Sequence, residues 1–380
     1  MSLQEYLAAK PLYYKHIDYK TMPKIFESIS HNFKFPKIIH VVGTNGKGSI
    51  GRYLANILEL SGFKTGHYTS PHILEFNERI YKNGNIISND ELEILHTRLL
   101  GILKDYAKEL SYFEYTTLLA FLYFEDCNYA VLEAGVGGEF DATNVAPKIL
   151  SIISPISLDH QELLGDSISK IAFTKLQSVN NPAVIACQNH KEALEIIKQR
   201  EAACGFKFLY VDENKKDEKV EKYAEKFSLP LFLKQNLLSA LKAAEFLGIS
   251  PDLSKLKALN LRARCEKIAP NITIDAGHNL DAAKALVKHF SNKKMILIYN
   301  SYKDKNYADI LNVLYPIVKH IELINIINPI RQNAKEDIEK LLSSLNVEYR
   351  DYKQINESEE YLVFGSFAVI ESFLKSLNEK

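Results

Sequence analysis

Residues 37–60 constrain the fold more than any other part of the chain. Lys37-Ile38-Ile39-His40-Val41-Val42 is an apolar run of strand length, and Gly43-Thr44-Asn45-Gly46-Lys47-Gly48-Ser49 follows it at once. Ile50 to Leu60 then carries helical periodicity and stops before Gly62. A buried strand that runs through a glycine-rich turn into a helix is the ground plan of a phosphate-binding α/β domain. The glycines let backbone N–H groups close on phosphate oxygens, and the helix N-terminus adds positive potential. Lys47 can reach the β- and γ-phosphates of a nucleotide, and the Ser49 hydroxyl lies near the metal they carry. The spacing departs from the common GxxxxGK[ST] loop: Val41 stands at the first glycine position and Gly48 separates Lys47 from Ser49. A plain glycine-rich turn is the alternative that these residues alone leave open.

The rest of the chain repeats the alternation. Strand candidates at 129–132, 149–154, 183–187 and 207–211 are separated by helical segments such as 115–124 and 190–203. That order predicts βαβ units and a mostly parallel sheet. After a helix over 233–247 the pattern restarts, with strands at 271–275, 294–299, 320–326 and 361–364 and helices between them. At 380 residues the chain exceeds the ~250–300 at which a single core stops growing, so two domains are expected. The expected fold class is α/β: a mostly parallel P-loop sheet domain over 1–264 and a smaller Rossmann-like domain over 265–380, with a cleft between them.

Composition narrows the function. The formal net charge is +0, which argues against an electrostatic nucleic-acid binder. No apolar run reaches the ~18–20 residues of a membrane span, and Met1 to Leu7 carries an early acid in place of an apolar signal core. Cys127, Cys187, Cys204 and Cys265 form no CxxC pair, so they read as reduced thiols of a cytoplasmic protein. No nucleic-acid partner and no membrane are expected, and a monomer is.

Five further motifs carry a resemblance. Tyr68-Thr69-Ser70-Pro71-His72 with Glu78-Arg79-Ile80 is similar to an SPHL…ERI loop. Leu132-Glu133-Ala134-Gly135-Val136-Gly137-Gly138 followed by Asp141-Ala142-Thr143-Asn144 is similar to LExGxGGxxDATN. Leu158-Asp159-His160 with Leu164-Gly165 matches LDHxxxLG, Asp275-Ala276-Gly277-His278-Asn279 is close to DGAHN, and Gly365-Ser366 matches a late GS motif. With GTNGKGS, these run in order over nearly the whole chain. They resemble the folate branch of the Mur-ligase superfamily, the dihydrofolate synthase/folylpolyglutamate synthase family. The resemblance implies a two-step reaction. A folate-type carboxylate attacks the γ-phosphorus of ATP to give an acyl phosphate, and the amine of L-glutamate then displaces phosphate. Cations must gather at the γ-phosphate for two anions to meet there.

The resemblance also implies residue roles. ATP falls to Thr44, Asn45, Gly46, Lys47, Gly48 and Ser49, with Asn236 near adenine and Arg264 and Asp275 from the second domain. Ser70, Glu133 and His160 are the implied Mg²⁺ set, with two ions expected. Lys175 is the implied carbamylated lysine, supplying an oxygen ligand in place of an ammonium. Lys47, Lys175 and His278 are the catalytic set. Ile17, Asp18, Phe113, Glu114, Asp141 and Ala142 are the implied pterin pocket, and the N-terminal pair tilts the reading towards a bifunctional enzyme acting on dihydropteroate and on tetrahydrofolate polyglutamates. Monofunctional synthases of either kind are the alternative within the family. A P-loop NTPase or phosphotransferase is the remoter one.

Overall fold

Isoleucine and valine runs without alternation suit strands covered on both faces, and β1 (Lys37–Val42) is such a strand, buried along its length after Lys37. The computed structural model describes residues 1–10, 20–328 and 331–378. In the first sheet β1 is joined by β2 (Thr65–Tyr68), β3 (Ile80–Lys82), β4 (Asn85–Ile86), β5 (Tyr129–Glu133), β6 (Lys148–Ile153), β7 (Ala183–Ile185) and β8 (Phe208–Tyr210). Their order is β4-β3-β2-β5-β1-β6-β7-β8. β3 and β4 are antiparallel to their neighbours, and the other pairings are parallel. The chain therefore leaves β1 towards β2 on one side and later reaches β6 on the other. A reversal of this kind opens a crevice at the carboxyl ends of the strands, where open α/β sheets bind ligands.

The chain divides into two units, Met1–Ser228 with Leu233–Leu259, and Leu229–Phe232 with Asn260–Lys380. The second unit has its own sheet: β9 (Glu266–Ala269), β10 (Ile272–Asp275), β11 (Met295–Tyr299), β12 (Val318–Leu323), β13 (Tyr349–Asp351) and β14 (Tyr361–Phe364), in the order β13-β12-β11-β14-β10-β9. Only β9 runs antiparallel to its neighbour. Each unit has an apolar interior of its own. Ile38, Tyr68, Leu118 and Leu132 belong to one cluster of the first, Val42, Ile153, Ile171 and Ile185 to another, and Leu286, Leu297, Leu314 and Phe364 to that of the second.

The structure departs from the sequence reading in two places that bear on the site. The helix after β1 is Lys47–Leu60 and starts a turn earlier than Ile50, because Gly46 takes a left-handed conformation (φ +80°) that lets the chain enter the helix directly from the loop. The segment 65–103 holds β2, β3, β4 and the helix Asn89–Leu103, the last started by a Ser88/Glu91 capping box. Among the described residues no helix is long and apolar enough to cross a membrane.

Candidate active site

The loop after β1 is held from below by the segment that follows β6. The Thr44 and Asn45 N–H groups both donate to Pro155 O at 3.0 Å. Thr44 Oγ1 donates to Ser157 O and accepts from Ser157 N–H, each at 3.1 Å. Gln188 braces that segment in turn, accepting from Ile156 N–H at 3.0 Å and donating to Ala186 O at 2.9 Å. At the head of the loop a Cβ on Gly46 would stand 2.8 Å from Asn236 Oδ1, so the buried Asn236 amide abuts the turn itself. No side chain caps the helix Lys47–Leu60. Its first-turn N–H groups, on Lys47, Gly48 and Ser49, therefore lack the partner a capping residue supplies.

Glu133, the last residue of β5, pairs with β1 at Val41 and so emerges beside the loop. Its Oε1 lies 3.9 Å from Lys47 Nζ. Its Oε2 accepts from Thr69 Oγ1 and from Ser70 N–H, the latter at 3.3 Å. Lys47 Nζ also donates to Thr44 O at 3.2 Å. Both side chains are mostly shielded from water, 14% and 5% exposed, which strengthens their attraction over that of a surface pair.

Lys175 is buried on the helix Ile168–Leu176. Burial first, and then the nearby Lys47 cation, push its ammonium down to about 7, with Asp159 and Asp141 acting in the opposite direction. The loop after β5 lies directly on it: a Cβ on Gly138 would be 2.4 Å from Lys175 O. Asp141 shapes that loop, accepting from Gly135 N–H at 2.8 Å, Val136 N–H at 3.1 Å and Thr143 N–H at 3.0 Å. Burial pushes the Asp141 carboxyl up. Ala142 is buried at the start of the 3₁₀ turn Ala142–Val145.

The Phe113 ring covers Gly135, where a Cβ would meet Phe113 Cζ at 2.8 Å, and lies 5.8 Å from the Tyr68 ring. Glu114 is the N3 residue of a capping box, its Oε2 accepting from Ser111 N–H and Ser111 Oγ at 2.8 Å each. Ile17 and Asp18 lie outside the described residues. His160 stands at φ +50° before the helix Gln161–Leu164, its ring 40% exposed and its Nε2 3.8 Å from Asp159 Oδ2. Among the described residues no three His, Cys, Asp or Glu side chains gather as a metal cluster. The structure thus brings Lys47, Glu133 and Ser70 together, with Lys175 and Asp141 within electrostatic reach of one another.

In the second unit Asp275 ends β10 as a buried carboxylate. It accepts from Cys265 N–H and Gly277 N–H, each at 2.8 Å. Burial pushes the carboxyl up, while those N–H groups, Arg264 and His278 oppose the rise. Arg264 lies 5.1 Å from the Phe367 ring, and His278 Nδ1 lies 3.1 Å from Ala276 O. Arg264, Asp275 and His278 therefore form one group at the carboxyl end of β10.

Thr69, Pro155, Ser157 and Gln188 also build the site, though the motif reading had assigned them no role. Thr69 adjoins Ser70, and Pro155 and Ser157 precede Leu158-Asp159-His160, so both neighbourhoods were marked. Gln188 had no local signal.

A doubly wound sheet with an uncapped glycine loop, a lysine–carboxylate pair beside it and a second parallel sheet defines a P-loop α/β protein of the ligase type. No family model matches the chain. It is 30% identical over 367 residues to the dihydrofolate synthase/folylpolyglutamate synthase of Buchnera aphidicola subsp. Baizongia pistaciae, covering 87% of this chain and 84% of that protein. The crystal structure of Helicobacter pylori folylpolyglutamate synthetase is 39% identical with a TM-score of 0.81, covering 100% of this chain and 98% of that one. The bifunctional folylpolyglutamate synthase/dihydrofolate synthase of Yersinia pestis, complexed with AMPPNP and Mn ion, shares the fold at a TM-score of 0.82 and 24% identity, covering 99% and 97%. The chain belongs to the dihydrofolate synthase/folylpolyglutamate synthase family. Its activity is ATP-dependent ligation of glutamate to folates.

Proposed function

We propose that the chain is bifunctional, adding L-glutamate both to dihydropteroate and to tetrahydrofolate polyglutamates. It acts in the cytoplasm as a monomer, without nucleic-acid or membrane partners. The observation that carries the carbamate reading is the burial of Lys175. Burial and the nearby Lys47 cation push its ammonium down to about 7, which favours the uncharged amine, the form that reacts with CO₂. The resulting carbamate is the oxygen ligand that the family resemblance assigns to this position.

The residues present suit a hard divalent ion. Glu133 brings a carboxylate beside the loop, the Ser70 hydroxyl sits next to an N–H already bonded to that carboxylate, and His160 completes the set implied by the motifs. Ser70, Glu133 and His160 would hold Mg²⁺ there, with a carbamylated Lys175 serving a second ion, and the ions would neutralise charge on the triphosphate. The protein's own groups do the rest. Loop N–H groups from Gly46 to Ser49 orient the phosphates, while the Thr44 and Asn45 N–H groups are spent on Pro155 O and fix the loop. Lys47 balances charge that grows on the γ-phosphoryl group as the acceptor carboxylate attacks. Asn236 holds the nucleotide end of the loop. Phe113, Asp141 and Ala142, together with Glu114, Ile17 and Asp18, make the pterin end. Arg264 and Asp275 serve the nucleotide from the second unit, and His278 serves the γ-phosphate and the incoming glutamate.

Mass spectrometry of products after incubation with ATP, Mg²⁺ and glutamate tests the proposal, once with dihydropteroate and once with tetrahydrofolate. A one-glutamate mass gain on each acceptor is expected, with ADP and phosphate in equal amount. Product from tetrahydrofolate alone would reduce the protein to a folylpolyglutamate synthase.

A further inference from the structure

The loop between β2 and β3 holds a buried cation outside the set above. Arg79 is 8% exposed. Its Nε donates to His72 Nδ1 at 2.7 Å, and its guanidinium carbon lies 5.2 Å from the Tyr112 ring centre. Among the described residues no carboxylate stands within 4 Å of it, and its two terminal nitrogens make no hydrogen bond. The adjacent acid, Glu78, is otherwise engaged: it accepts from the N–H groups of Ile73 and Leu74 at 2.8 Å and of Glu75 at 2.9 Å. The Arg79 side chain is packed along its length while its two terminal nitrogens are not sealed from solvent, so both donors are open to an incoming anion. A planar guanidinium with two open donors matches a carboxylate.

Its position says which carboxylate. Arg79 O accepts from Thr69 N–H at 2.9 Å, and Thr69 Oγ1 in turn donates to Glu133. Tyr112 precedes Phe113, whose ring covers Gly135. Arg79 is thus linked on one side to the carboxylate beside the phosphate loop and on the other to the aromatic residues assigned to the acceptor. A glutamylated folate carries an α-carboxylate close to the γ-carboxylate that reacts. Dihydropteroate has a single carboxylate, the reacting one.

We propose that Arg79 binds the α-carboxylate of the terminal glutamyl residue of a folate acceptor and so sets the affinity for glutamylated acceptors apart from that for pteroate. This rests on the ligase reading. The test compares tetrahydrofolate, its α-carboxamide and dihydropteroate as acceptors for the parent, Arg79→Gln and Arg79→Lys enzymes. The parent is expected to show a KM about tenfold to a hundredfold higher for the amide than for the acid, the worth of a charge-assisted bond. Arg79→Gln should raise the KM of the acid to that of the amide, move kcat less, and leave the dihydropteroate KM in place; Arg79→Lys should recover part of the difference. Equal losses on acid and amide in Arg79→Gln would overturn the proposal, as would a parent enzyme indifferent to the amide. That second comparison needs no variant and decides the matter even if Arg79→Gln does not fold. A parent inert towards dihydropteroate alone would remove bifunctionality, with the acid–amide comparison still deciding the role of Arg79. A parent inert with every acceptor would overturn the ligase reading and this proposal with it.

Discussion

The loops after β1 and after β10 both leave the carboxyl end of a strand that lies parallel to a neighbour, yet they use backbone donors in opposite ways. After β1 the helix begins at a glycine with no side chain to cap it, and the first-turn N–H groups are left for an anion from outside. After β10 the protein supplies the anion itself. Asp275 takes the N–H groups of Cys265 and Gly277, and the Asn279 side chain accepts from Ala282 N–H at 3.0 Å, capping the helix Leu280–His289. The first loop is thus a cradle made of backbone. The second is a closed turn that presents side chains, Arg264 and His278, instead. Position at the carboxyl end of a parallel strand does not by itself make a phosphate site; it also matters whether the donors are already taken.

Breaking the first loop should have the largest effect. Lys47→Ala is expected to lower kcat about 10²–10³-fold, or ~3–4 kcal/mol of barrier, because a preorganised charge at the γ-phosphoryl is lost. Far-ultraviolet circular dichroism should be unchanged, and a variant within threefold of the parent would remove the triphosphate from this loop. Lys175→Arg should be as inactive as Lys175→Ala, since arginine cannot form a carbamate, and a small carboxylic acid in the buffer should partly restore the alanine variant. Full activity in Lys175→Arg would exclude the carbamate.

A smaller effect separates the strands that lead into the two loops. His40 on β1 is buried and bonds Thr143 Oγ1 at 2.9 Å, and burial, aided by the Lys148 cation, pushes it down from 6.5 to about 3. The unfolded chain therefore takes up a proton near pH 6.5 that the folded one refuses until about pH 3. Stability associated with this group is complete above pH 6.5 and falls as pH drops through that window, by up to ~1.4 kcal/mol per pH unit. Denaturant unfolding at pH 7 and pH 5 should show a loss of about 2 kcal/mol from this residue, reduced in His40→Gln. An equal loss in both proteins would place the acid sensitivity elsewhere.

Gly46→Ala sharpens the contrast at the caps. It puts a Cβ at φ +80° and against the Asn236 amide, so about 1–2 kcal/mol of stability should go, together with a raised KM for ATP. Asn279→Ala removes an ordinary cap and should cost about 1 kcal/mol in denaturant unfolding. A loss as large as that of Gly46→Ala would mean that Asn279 does more than cap.

The sequence alone was enough to place the parallel strands and the phosphate loop, because β1, β6, β11 and β14 are apolar runs whose local pattern and burial agree. Lys47, Glu133, Asp275 and His278 stand out in the sequence as candidates because each adjoins a strand end marked by glycines. β2 was not. Thr65-Gly66-His67-Tyr68 has no apolar run, yet all four residues are buried, because partners far along the chain accommodate them: Arg52 Nε donates to His67 Nδ1 at 3.1 Å, and Phe124 fills the space over Gly66. The same holds for charge. The motifs marked Lys175 only by resemblance, and it takes the packed structure to strip its ammonium of water. Which donors are taken and which remain open depends on segments such as Pro155–Ser157 and Asp141 meeting loops distant in sequence, and spacing along one chain carries no record of those meetings.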